Sequence, residues 1–122
     1  MVDSGPDQYR NLTMNLEPTK ALNYIIKEAP NYAKAKADRR YLEEYRKTLK
    51  GKLYNSAPDG LSQGDRIEWA YAHKDYEELL NGLKAAIEIE EELKWRMTAA
   101  EHKIEVWRSQ EASNRFIDKG LT

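Results

Sequence analysis

From Asp75 to about Arg115 the chain holds no proline and a single glycine, Gly82, and its commonest residues are Ala, Leu, Glu, Lys, Arg and Met. These are the residues that lose least conformational freedom in a helix and bury no competing polar group. Within this run Leu79, Leu83, Ala86, Leu93, Met97, Ala100, Ile104 and Trp107 recur at steps of three and four, with Glu90 as a polar interruption. That is the spacing of a heptad seam. Forty residues at the helical rise make a rod of about 60 Å.

A rod of that length limits everything else the chain can build. A compact monomer of 122 residues would be only about 35–40 Å across. The predicted fold is therefore all-α: short N-terminal helices packed on one long C-terminal helix, in the manner of a helical hairpin or coiled-coil oligomer. Apolar residues at 40% and charged residues at 34% suit helices that each bury one stripe. Eight Tyr, three Trp and one Phe argue against a disordered chain.

Upstream, residues 1–16 lack a clear period and are expected to form a flexible arm, leaving residues 17–122 as one helical domain. Glu17-Pro18-Thr19 predicts a helix start, since proline at the first helical position forfeits no hydrogen bond. Leu22, Ile25 and Ile26 give that helix an apolar face, and Pro30 is expected to stop it. Asn31 would then cap a second helix over residues 32–54, with Ala35, Leu42, Tyr45, Leu49 and Leu53 along one side. Asn55 to Gly60 is a loop by composition. Asp65 with Glu68, and Asp75 with Glu78, both resemble capping boxes; a short helix carrying Ile67, Trp69, Ala70 and Tyr71, then a kink, then the long helix over about 75–115, is the expected order.

A second helix of 23 residues would cover about 35 Å of the long one. Some 25 Å would project, yet that part carries Trp95, Ala99, His102 and Val106 beside its main seam. Leaving two large aromatics in water is unfavourable by a few kcal/mol. A homo-oligomer is the expected remedy, with Leu93, Trp95, Met97, Ala100, Ile104 and Trp107 at the interface.

The net charge of −1 excludes a strongly basic nucleic-acid binder, but the charge is unevenly spread. Residues 33–54 hold eight basic side chains against three acidic ones, whereas residues 74–122 hold eight basic and eleven acidic ones. In one reading Arg39, Arg40, Arg46, Lys47 and Lys50 lie on the phosphates of single-stranded DNA while Tyr41 stacks on a base. The default reading of such a run is plainer: the basic helix packs against the acidic stretch at residues 88–92.

Little else in the chain suggests site chemistry. The absence of Cys removes thiolate ligands and nucleophiles. Of two histidines, His73 lies in a turn-like Ala-His-Lys-Asp segment, and His102 on the long helix is more easily an interface residue than a ligand. The carboxylates at 88–92 point in successive directions around a helix and do not converge. No phosphate loop, nucleophile elbow or paired metal-binding motif is present. The expectation is a non-enzymatic protein with no metal and no cofactor. No apolar stretch is long enough to span a membrane, and the first residues lack the features of a signal peptide; a cytoplasmic location follows as an expectation.

Four segments carry a resemblance: Ala37-Asp38-Arg39-Arg40-Tyr41-Leu42-Glu43-Glu44-Tyr45-Arg46-Lys47, then Glu68-Trp69-Ala70-Tyr71-Ala72-His73-Lys74-Asp75-Tyr76, then Leu93-Lys94-Trp95-Arg96-Met97, then residues 104–115. In this order, across about residues 33–115, they resemble small uncharacterised proteins encoded by tailed phages and prophages. Genes of that kind often lie near DNA recombination and replication genes. The resemblance therefore implies an accessory role in those processes, in host cytoplasm, and assigns no residue a function. The expected partners are a second copy, single-stranded DNA or a recombination protein. The alternatives are an adaptor or inhibitor of a host or phage enzyme, and a structural component of the virion.

Overall fold

The computed structural model describes residues 18–121. The protein is all-α: α1 spans Pro18–Ser56, α2 spans Gln63–Ala72 and α3 spans Lys74–Leu121. The expected N-terminal arm lies outside the described residues. The long helix packs against the N-terminal one, and it is longer than its composition required, beginning one residue early and continuing past Arg115.

Pro30 does not end the first helix. α1 runs through it as a single 39-residue element, so Asn31 is a helical residue and not a cap. An internal proline costs about 3 kcal/mol through a lost backbone hydrogen bond and a ring clash. Apolar packing on both sides offsets that cost, because each half of α1 has its own stretch of α3 to lie against. The chain divides into two compact units at this place, residues 31–92 and residues 1–30 with 93–122.

In the unit formed by residues 31–92, Ala35, Leu53, Ala57, Ala70, Leu79 and Leu83 are buried. Leu42, Tyr45, Leu49, Ile67, Trp69 and Ala86 are half-buried around them. The register on α1 is the expected one, with Leu42 beside Gly82 and Arg39 beside Glu90, so α1 and α3 run antiparallel here. α2 starts earlier than its Asp65–Glu68 signature suggested. Ser62 is the N-cap, and its Oγ accepts from the Asp65 backbone N–H at 3.1 Å. Arg66 ties α2 back to the end of α1, donating to the Ala57 carbonyl at 3.3 Å with its guanidinium over the Tyr54 ring. The turn between α1 and α2 contains Gly60 at φ 89°, a left-handed conformation that side-chain-bearing residues rarely adopt.

In the unit formed by the chain's two ends, Ala21 and Ala100 are buried, and Tyr24, Ile25, Leu93, Met97 and Ile104 are half-buried. The first half of α1 thus covers the Leu93, Met97, Ala100 and Ile104 side of the stretch of α3 expected to project bare, and leaves Trp95, Ala99, His102 and Val106 exposed. From Glu105 to Gly120, every residue of α3 except Glu111 is exposed. No described helix is long and apolar enough to cross a membrane.

Candidate nucleic-acid interface

His73 shapes the most distinctive surface of the protein. Its backbone is extended (φ −67°, ψ 141°), which stops α2, and its N–H reaches back to the Ala70 carbonyl at 3.3 Å. Its carbonyl then accepts from the N–H groups of Tyr76 and Glu77, and its Nδ1 accepts from the Asp75 N–H at 3.0 Å. One residue therefore closes α2 and opens α3. Trp69, with its ring centroid 5.1 Å from the imidazole, packs against this corner.

The break decides where two tyrosines go. On an unbroken helix Tyr71 and Tyr76, five positions apart, would point about 140° from one another. Across the corner their rings meet edge to face, 5.1 Å between centroids at 81°. They form one wall of a cleft of about 350 Å³ whose other wall is Arg46, Lys47 and Lys50 of α1. Lys50 Nζ stands 4.7 Å from the centre of the Tyr71 ring. The lining contains no carboxylate, and the nearby Glu44 meets Lys47 only at 3.7 Å in an exposed pair, an arrangement worth little in water.

This cleft gathers three of the six residues expected to contact DNA. Arg40 lies two turns before Lys47, on the same side of α1 by helical geometry, and is exposed. Arg39 is placed differently. Its guanidinium donates to both carboxylate oxygens of Glu90 and, at 2.9 Å, to Glu43. Those hydrogen bonds, the one to Glu90 foremost, hold its proton more tightly than in a free arginine. Its guanidinium is engaged by these two carboxylates. Tyr41, six residues before Lys47, sits on the other flank of α1 and stacks on Tyr45 at 5.9 Å with the rings nearly parallel. There it borders a separate groove, about 350 Å³, floored by Leu42, Gly82 and Ala86.

Tyr71 and Tyr76 were not foreseen as site residues. The signal was present in the two capping signatures ten residues apart, since a break between them swings both tyrosines to one side.

The six residues expected at an oligomer interface also divide. Ala100 is buried against its own chain and Leu93, Met97 and Ile104 are half-buried there, whereas Trp95 is 63% exposed and Trp107 is 38% exposed. Among the described residues no group of three or more His, Asp and Glu gathers closely enough to hold a metal ion. No protein-family model, curated protein or solved structure matches the chain.

Proposed function

We propose that this protein is a non-catalytic accessory factor that binds single-stranded nucleic acid through the cleft between α1 and the α2–α3 corner. The reading rests on one observation: three cations and two tyrosines share a cleft whose lining carries no acidic side chain. Arg46, Lys47 and Lys50 would follow the phosphates, with Arg40 extending their line along α1. Tyr71, 45% exposed, offers a ring on which an unpaired base stacks. Stacking of this kind is tolerant of sequence because every base has a π-face. With the resemblance to phage-encoded proteins, the reading extends to assistance in phage DNA recombination or replication.

The test is fluorescence anisotropy of a labelled single-stranded oligonucleotide at low salt. Saturable binding that weakens with rising salt is expected, and no change at tens of micromolar protein would sink the proposal. A second reading, a protein-binding adaptor, draws on a different observation: Trp95, Phe116 and Ile117 are all more than half exposed on α3.

A further inference from the structure

Beside the seam that α3 turns toward its own chain runs another. Trp95, Ala99, His102, Val106, Ser109, Ser113 and Phe116 follow one another at steps of four and three. A heptad repeat sustained over 22 residues keeps them on a single face of the helix. None of the seven is Lys, Arg, Asp or Glu, although the helix around them is richly charged. All seven are exposed, with Trp95 at 63%, Val106 at 44% and Phe116 at 78%. A hollow of about 560 Å³ lies along the middle of this face, bordered by His102, Val106, Ser109 and Ser113 of the seam and flanked by Glu105, Gln110 and Asn114.

From this we infer that the face is a self-association surface, on which a second copy of the chain lies antiparallel about Val106. The inference stands whether or not the cleft binds nucleic acid. Its first support is shape. In the antiparallel arrangement Trp95 meets Phe116 of the second copy, Ala99 meets its Ser113, and Val106 meets itself. Large residues thus cap the two ends and small ones let the helices approach between them. A parallel pair would instead set His102 on His102 and stack each serine on its own copy.

The second support is area. At the exposure they have in one chain, Trp95 and Phe116 of two copies would bury about 400–700 Å². Val106, His102, the two serines and the intervening backbone of both helices carry the total toward the roughly 1,200 Å² at which specific interfaces begin. The seam also differs from the interface expected from the main heptad line, because that line already lies against its own chain.

Light scattering on the full chain tests this directly. The expected mass is twice the 14.2 kDa of one chain, falling to the single-chain value in Val106→Asp with an unchanged far-ultraviolet dichroism spectrum. Glu101→Lys, well around the helix from the seam, should leave the double mass intact. Ser109→Lys serves in place of Val106→Asp if that variant fails to fold. A single-chain mass for the unaltered protein at high micromolar concentration overturns the proposal and points to the chain's own residues 1–17 as the cover. So does a double mass that survives both seam substitutions. Orientation is read from cysteine cross-links, for which the cysteine-free chain is suited: Ala99→Cys mixed with Ser113→Cys should give a mixed disulfide, and self-linking of either variant alone would overturn the antiparallel arrangement.

Discussion

Arg39 of α1 grips Glu90 of α3 with two parallel hydrogen bonds, Nε to Oε2 and Nη2 to Oε1, the latter at 3.1 Å. Glu90 is only 7% exposed, and it occupies a heptad position where every neighbour along the seam is apolar. Arg39 lies at the corresponding place on α1, between Ala35 and Leu42. A planar fork on a carboxylate fixes both distance and direction, so this pair sets the register of the two helices as an apolar contact would not.

Removing one partner of a buried ion pair is strongly destabilising, whereas replacing both with apolar residues is often neutral. Arg39→Leu is expected to lower the melting temperature by on the order of 10 °C. Arg39→Leu with Glu90→Leu should recover most of that loss. Thermal denaturation of the three proteins checks this, and an unrecovered double variant would show that the pair contributes more than register. The arginine side of the pair brings no pH dependence in the working range. A raised pKa gives stability that is present below the unfolded value and lost only as pH climbs through the folded one, and for Arg39 both lie beyond any pH at which the protein is handled.

The cleft makes a positional prediction about binding. Tyr71→Ala should weaken single-stranded DNA binding by about 5- to 150-fold, the loss of one stacked base at roughly 1–3 kcal/mol. Tyr41→Ala, on the other flank of α1, should change it little. Arg46→Glu with Lys47→Glu should flatten the salt dependence by about two phosphate contacts. Anisotropy titrations at several salt concentrations separate these effects; equal losses from Tyr41→Ala and Tyr71→Ala would misplace the site.

The glycines divide by backbone. Gly51 and Gly82 are helical, and a Cβ at either meets nothing closer than Leu42 Cδ1 at 4.0 Å from Gly82. Each change to Ala should stabilise by about 0.5–1 kcal/mol, raising the melting temperature by a few degrees. Gly60→Ala should lower it by a similar amount, because φ 89° is strained for any residue with a side chain.

The Ser62 side chain caps the start of α2. Ser62→Ala should cost about 1 kcal/mol. The loss should appear as faster amide exchange at Asp65, whose N–H the serine oxygen accepts from. Unchanged exchange there would mean that solvent replaces the cap at no cost.

The helical class, the long C-terminal element and the inward residues of α3 were all legible in the sequence, because helix formation follows from local propensity and a three-four apolar period that any reader can count. The break near Asp75 was legible too, from its repeated capping signature. Three features needed the folded chain. Pro30 looks like a stop until both halves of α1 find partners on α3, and packing energy outweighs a local penalty. Arg39 and Tyr41 look like neighbours of Lys47 in one basic, tyrosine-rich run, until helical rotation and a buried glutamate turn one inward and the other to the far side. Tyr71 and Tyr76 look unrelated until an extended residue at His73 swings them together. Sequence fixes what each residue prefers locally; only tertiary contact, where a few kcal/mol of burial or pairing overrides those preferences, decides which side chains meet.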